Sequence, residues 1–440
     1  MRTRTISADL LTPIGTYLAL ARPREACLLE SVEHGGRISR YSFIGLDYLA
    51  SRTFEAGAQM LDEVRTFVRP FRPDGDESSL GGALVAFAYD AARPFARLPR
   101  REASAPEMPD GYVAIPGTWL IFDHFSDRLT IWASGHDAPE IDARIDAHIA
   151  RLLSAGARLP RPVIGRGHVS RSLGRDEFLD LVERVKRRIY DGDIYQLQLG
   201  IRFGVDVAGG AFEIYRALRS RNPSPYMFYV DGPFGQVFGA SPEFLVRLEG
   251  RLARIRPLAG TRSRGNDDAA DARVAAELLA DEKERAEHVM LVDLARNDLG
   301  SVCEFGSVRV GELMQIERYS HVMHIVSDVT GTLREGRDGL DLFAAGFPAG
   351  TVTGAPKVRA MQLIDDLEPV SRGFYAGSIG RWSFGGDFDS CITLRSVHVQ
   401  DGRAYWQASA GIVADSDAAG EYEEVLHKTS IAREVLGVRL

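Results

Sequence analysis

Four glutamates, set in two pairs, are the residues best spaced to do chemistry together. Glu284 and Glu287 stand three apart in DEKERAEHVMLVDLARNDLG, and Glu421 and Glu424 repeat that spacing in GEYEEVLHKTSIAREV. On a helix, residues three apart share a face, so each segment presents two carboxylates side by side. Two such faces suit one hard divalent cation, since Mg2+ prefers oxygen donors and takes one or two carboxylates directly while keeping several waters. The alternative is that both are solvated faces of ordinary charged helices.

A second candidate is the loop AGFPAGTVTGAPKVRAMQLIDDLEP. It lacks the Gly-Lys-Ser/Thr ending of a phosphate loop, because Gly354-Ala-Pro-Lys357 is followed by Val358. It remains a Gly- and Thr-rich loop opening a helix at about Pro356, a residue suited to the first helical position. Its backbone N–H groups and the Thr351 hydroxyl can bind a carboxylate, or the loop can be a capping turn. His321 and His324 are three apart, but without HExxH or a third soft ligand they make no zinc site. Each is either a packed core histidine or a proton-transfer group. Arg395, inside the apolar run CITLRSVHV, needs a salt-bridge partner or an anion. Phe238–Glu243 and Gln407–Gly411 each join glycine to a strand pattern, as where backbone approaches another group closely.

These residues need a frame. Up to about Ile131 the chain has short alternating runs, ALVAFAY at 83–89 and WLIF at 119–122, separated by turn clusters. Asp137–Ser154 and Asp176–Tyr190 have amphipathic helical spacing, and a Gly-, Pro- and Arg-rich stretch at 156–175 connects them. IYQLQLGIRF, YMFYV, QVFGAS and EFLVRLEG are strand candidates, and a long charged helix is expected over about 268–296. Strands mixed with long helices, without regular βαβ alternation, indicate an α+β fold. The expected division is a strand-rich lobe at 1–155 and a catalytic lobe at 176–440, interleaved in one body.

Composition narrows the function classes. With 440 residues and 45% hydrophobic content, the chain can bury a large core. A net charge of −8 provides no basic field for nucleic acid or an acidic membrane, so attraction for an anion has to be local. Cys27, Cys303 and Cys391 lie far apart, which argues for a reducing compartment and against a thiolate metal site. The N-terminus lacks an apolar signal-peptide core, and no apolar run reaches about 18 residues, so a cytoplasmic protein is expected.

Taken in order, GDIYQLQL, NPSPYM, GASPE, RPLAGTRSRG, DEKERAEHVMLVDLARNDLG, HVMHIVSDVTG, AGTVTGAPK, YAGSIG, DSCITLRS and QASAGIVADS with EYEEVLHK resemble the chorismate-binding enzymes. The likeness is dense from Asp176 to the C-terminus and weaker through LLES, RYSFIG and the 81–90 run. It implies large antiparallel sheets packed as a sandwich with helices outside. It also implies Mg2+ as cofactor, with Glu287 and Glu424 as ligands and Glu284 and Glu421 on the metal's waters. Tyr375, Arg395 and Gly411 are similar to the groups that grip the enolpyruvyl carboxylate, with Thr351, Gly354, Ala410 and Lys428 in the same pocket. Glu243 resembles the acid that protonates the departing C4 hydroxyl, and His324 the histidine of the later pyruvate elimination.

The resemblance also bears on the branch of the family. Water-using members carry a lysine base at the position of Gln196, and an amide cannot deprotonate water. Many aminodeoxychorismate synthases carry a nucleophilic lysine where Pro257-Leu-Ala259-Gly-Thr261 stands here. The implied chemistry is direct attack by ammonia on chorismate, yielding anthranilate, with an aminodeoxychorismate or a 2-amino-2-deoxyisochorismate as the alternative product, the former favoured slightly by YAGSIG and Thr393. The ammonia is expected from a separate glutamine amidotransferase component II. Leu29, Glu30 and Ser31, with Pro225, Tyr226 and Met227, are similar to a tryptophan feedback pocket. Ser409 stands where the family usually has glycine, and Gly200-Ile201 where it more often has Ser-Gln.

Overall fold

Alternation of apolar and polar residues builds the strand Gln196–Ala208, and the same pattern builds Arg403–Ile412 beside it. The two pair antiparallel from Arg403 opposite Asp206 to Ile412 opposite Leu197. In a strand, successive side chains take opposite faces. Leu197, Leu199, Ile201 and Phe203 therefore enter the core with Trp406, Ala408, Ala410 and Ile412. Each large apolar side chain so buried contributes about 1.5–3 kcal/mol. These elements come from a computed structural model, which describes residues 1–32, 40–96, 98, 106–156, 159–161, 163–318 and 322–439.

The contacts divide the chain into two units. The first contains residues 1–242, 352–385 and 392–440 and holds a large antiparallel sheet. Strand Ala26–Glu30 lies between Tyr41–Phe54 and Tyr226–Gly232, which joins the N-terminal strands to those after 176. From Tyr226–Gly232 the sheet continues through Gly235–Ser241, Ser396–Gln400, Arg403–Ile412 and Gln196–Ala208 to Ile164–Arg171. Residues 1–155 and most of 176–440 thus share this unit. Helices Ala138–Ser154 and Arg175–Tyr190 lie where the periodicity put them, and Gly192, at φ +82°, follows the end of the second. Phe178, Leu181, Val182 and Val185 are the buried stripe of that helix.

The second unit contains residues 243–351 and 386–391. Strand Phe244–Glu249 pairs with Leu252–Ile255, which pairs with Val329–Thr332. A separate three-stranded sheet sets Val322–Val326 between Leu258–Ser263 and Gln315–Arg318. The charged helix expected over 268–296 is two helices, Asp268–Ala280 and Glu282–Val302. Asp281 breaks it by taking an extended conformation and accepting hydrogen bonds from the N–H groups of Lys283 and Glu284, which makes it the cap of the second helix. Leu278 and Ala275 pack with Met323 and Ile325 in a small core of this unit's own. The fold is mixed α+β with extensive antiparallel sheet. Among the described residues no helix is long and apolar enough to cross a membrane.

Candidate active site

In the first unit, the face of the Gln196–Ala208 and Arg403–Ile412 pair opposite the core is polar yet buried. Gln196, Gln198, Gln407 and Ser409 are each less than a tenth exposed. Buried polar groups are costly unless partnered, so such a face needs polar cover. Glu368 and Arg372 supply part of it. Arg372 donates to both Glu368 carboxylate oxygens, at 2.7 and 2.9 Å, and to the carbonyls of Val352 and Gln198, at 2.6 and 2.9 Å. Glu368 also accepts from the N–H of Gly200 at 2.9 Å. The glycine at 200 is what permits this approach: a Cβ there would lie 3.1 Å from Glu368 Oε1 and 2.9 Å from Gln407 Nε2.

Tyr375 is buried, and its hydroxyl lies 2.8 Å from Ser409 Oγ, which donates to Gln198 Oε1 at 2.8 Å. Burial pushes the Tyr375 phenol above its ordinary value. Arg395 departs from the expected strand interior. It sits between Phe388–Ile392 and Ser396–Gln400 at φ +47° and is exposed. The chain turns there, and the Arg395 carbonyl accepts from Ala240 N–H. Thr393, two residues earlier, exchanges backbone hydrogen bonds with Ala376 and Gly377, which ties this turn to the segment after Tyr375. Ala410 has its methyl in the core, so its side chain does not reach the polar face; strand alternation decides this. Gly411 is on that face.

The loop from Gly350 is less helical than its sequence suggests. Thr351 lies in a 3-10 turn, and Gly354-Ala355 is a short strand pairing with Gln196-Leu197. Helix Lys357–Leu367 begins one residue later than expected, with Pro356 as its cap. Gly354 has φ +137°, and a Cβ there would stand 2.1 Å from the Gln196 carbonyl oxygen. Only glycine allows that approach.

Glu421 and Glu424 are on helix Ala418–Lys428. Ser416 donates to Glu421 at 2.7 Å. The Lys428 ammonium bridges Glu424, at 2.7 Å, and the Ser409 carbonyl, at 2.9 Å. In the same unit, the two segments expected to form a tryptophan pocket are neighbours: Leu29 is opposite Phe228, and Glu30 is opposite Met227. Glu30 is buried and engaged, accepting from the Tyr215 hydroxyl at 2.6 Å and from Arg219 at 3.0–3.2 Å. Ser31 lines a cavity of about 1120 Å3 together with Thr12, His124, Arg219 and Arg221.

In the second unit, Glu243 immediately precedes strand Phe244–Glu249. The Thr351 hydroxyl lies 3.5 Å from each of its carboxyl oxygens, so Thr351 neighbours the acid. Burial pushes the Glu243 carboxyl up to about 8, against a small opposing effect of Thr351. His324, on strand Val322–Val326, is buried. Its Nδ1 is 3.1 Å from both the Gly260 carbonyl and Thr261 Oγ1. A carbonyl only accepts, so in the neutral ring the proton sits on Nδ1 and the lone pair on Nε2. Gly260, at φ +63°, stands at the register shift between Ala259 and Thr261. A Cβ there would lie 3.2 Å from Glu284 Oε2, so the bulge brings the sheet to the helix carrying Glu284 and Glu287. Arg262 holds Glu284 at 3.0 Å. His321 lies outside the described residues.

Each glutamate pair offers hard oxygen donors on one helix, the donor type that suits Mg2+. Within either unit, among the described residues, no three Asp, Glu, His or Cys side chains gather as a metal-ligand cluster. Glu368, Arg372 and Gln198 were missed as site residues in the sequence. Their signal was the recurrence of Gln at 196 and 198, and the Glu-x-x-x-Arg spacing at 368–372.

Comparison with known proteins bears on this arrangement. Residues 24–434 match the family model described as chorismate binding enzyme. The chain is 43% identical to anthranilate synthase component 1 of Thermus thermophilus, over 97% of this chain and 95% of that one. It is 39% identical to aminodeoxychorismate synthase component 1 of Bacillus subtilis, over 93% of this chain and 91% of the relative. The crystal structure of anthranilate synthase component I from Streptococcus pneumoniae superposes with a TM-score of 0.83 at 31% identity, covering 97% of this chain and 99% of that one.

Proposed function

This chain belongs to the chorismate-binding enzyme family, and within it we propose that it is the synthase component of an anthranilate synthase, converting chorismate and ammonia to anthranilate and pyruvate. The carrying observation is the pair Gln196 and Ala259. Neither side chain can activate water or attack the ring, so the nucleophile is ammonia itself. The likeness to proteins named anthranilate synthase component 1 supports this reading.

Ammonia attacks the ring carbon beside the one bearing the carboxylate. The ring double bonds shift, and the carbon–oxygen bond to the C4 hydroxyl breaks. Glu243, still protonated at neutral pH, gives its proton to that hydroxyl, which leaves as water. Thr351 orients the acid. The ammonium formed on attack gives up one proton to solvent, and the resulting amino adduct then loses the proton from its nitrogen-bearing carbon to His324 Nε2. The released electron pair aromatises the ring as the enolpyruvyl group departs, and that group takes up a proton to become pyruvate. Tyr375, Arg395 and the backbone of Gly411 hold the enolpyruvyl carboxylate in this reading. Mg2+ would be the cofactor, held by Glu287 and Glu424 with Glu284 and Glu421 toward its waters, and it would offset the negative charge of the ring carboxylate.

A separate glutaminase supplies the ammonia, and tryptophan binds at Leu29–Ser31 with Pro225–Met227 as feedback inhibitor. A second reading, release of an aminodeoxychorismate, draws on the likeness to the Bacillus subtilis protein. The test is the purified chain with chorismate. We expect turnover with ammonium salts and Mg2+, none with glutamine alone, and inhibition by tryptophan. Glu424→Gln should lower turnover at least 10²-fold with an unchanged melting temperature. Activity with glutamine alone, or a fully active Glu424→Gln, contradicts the reading.

A further inference from the structure

The polar face of strands Gln196–Ala208 and Arg403–Ile412 carries a donor pair that the roles above leave unused. Above Gly411, two side-chain amides converge. A Cβ at that glycine would lie 2.8 Å from Gln196 Nε2 and 2.9 Å from Gln198 Nε2. Both glutamines are buried, Gln196 at 5% and Gln198 at 8% exposure, and both stand on the face bearing Ser409 and Gly411.

The Gln198 amide presents its oxygen to Ser409, and that sets the direction of the neighbouring hydrogen bonds. Ser409 has one hydroxyl proton and donates it to Gln198 Oε1 at 2.8 Å. The Tyr375 hydroxyl, 2.8 Å from the same Oγ, must then donate to Ser409. The chain of bonds runs from Tyr375 through Ser409 to Gln198, and it turns the Gln198 N–H2 toward Gly411 beside that of Gln196. With glycine at 409 nothing at that position would set the orientation.

We propose that Gln198, aligned by Ser409, binds a carboxylate of the anionic substrate jointly with Gln196 over the bare backbone of Gly411. The proposal rests on the chorismate reading given above. Two N–H2 groups converging where no side chain intervenes are a donor pair for one anionic oxygen, and hydrogen bonds to a charged acceptor are the stronger kind. Ser409 is a positioning residue: it acts on the substrate through Gln198. Its presence where glycine is usual is thus tied to the amide it orients.

Chorismate binding, measured by calorimetry with Mg2+ and without ammonium, tests this beside steady-state turnover with ammonium. Gln198→Leu keeps the side chain's bulk without a donor. It should weaken binding and raise KM roughly 10- to 100-fold, with kcat changed by less than about 3-fold. Ser409→Gly should move KM in the same direction. In the Gln198→Leu background it should add nothing, because both changes remove one interaction. Should Gln198→Leu fail to fold, Ser409→Gly and Gln198→Asn, which withdraws the amide by one methylene, give the same comparison. Wild-type affinity in folded variants, or effects of the two sites that simply add, overturns the proposal. A wild-type chain that binds no chorismate overturns the functional reading and this proposal together. One that binds chorismate without turning it over overturns the functional reading alone, and the variants still decide the role of Gln198.

Discussion

A carboxyl group that donates a proton at neutral pH has to resist ionising, and Glu243 does so by burial, which carries it from an ordinary 4.5 to about 8. In the proposed reaction the protonated form is the working form, so turnover per free ammonia should fall as pH rises through about 8. Glu243→Gln should cost on the order of 10²–10⁴ in kcat, the range for a general acid. The same shift affects stability. An acid whose pKa is raised on folding binds more protons in the folded chain, so the contribution of Glu243 to stability declines between about 4.5 and 8 and is level above that. Glu243→Gln should therefore melt higher than wild type at pH 9 and gain little at pH 4.5. A variant with the same melting difference at both pH values would show that Glu243 is not held in its neutral form. The sequence identified this residue only through the SPE resemblance, because a lone glutamate before a strand gives no sign of its burial.

At the scale of elements, the strand pair Gln196–Ala208 and Arg403–Ile412 and the short strand Gly354-Ala355 form the frame of the first unit's site. Gly354→Ala would drive a Cβ into the Gln196 carbonyl from a left-handed backbone conformation. It should cost more than about 2 kcal/mol, from steric crowding and backbone strain, measured by denaturant melts. A neutral effect would mean that the loop does not depend on that approach. Much of the frame was legible in advance, since Asp176–Tyr190 carries a clear period of 3.6 and YMFYV is a short apolar run rich in strand-forming residues. The break at Asp281 was not, because Asp is tolerated within a charged helix and only the cap geometry distinguishes its role. Arg395 was misplaced because an apolar neighbourhood looks like a continuous strand, whereas the chain turns there at positive φ. The buried face of Gln198 and Ser409 was also hidden, because alternating polar residues ordinarily mark the side that faces water.

For the molecule as a whole, each unit buries a neutral imidazole. Burial pulls His288, in the second unit, down to about 4; His398, in the first, is also brought to about 4, with burial outweighing the hydrogen bond to the Phe234 carbonyl. Groups whose pKa falls on folding contribute stability that is fully present above about 6.5 and is lost as pH drops toward 4. The melting temperature should therefore decline over that window, and replacing either histidine with glutamine should flatten the decline. The net charge of −8 gives no long-range attraction for an anionic substrate, so the proposed reading assigns recognition to local groups such as Tyr375, Arg395 and the amides over Gly411. The central claim is a reaction outcome, and the direct measurement is a mass balance. Chorismate consumed by the purified chain with Mg2+ and ammonium is compared with the anthranilate and pyruvate formed. The account predicts one of each per chorismate. An amino adduct that keeps its enolpyruvyl group, or a hydroxylated product formed from water, would contradict it.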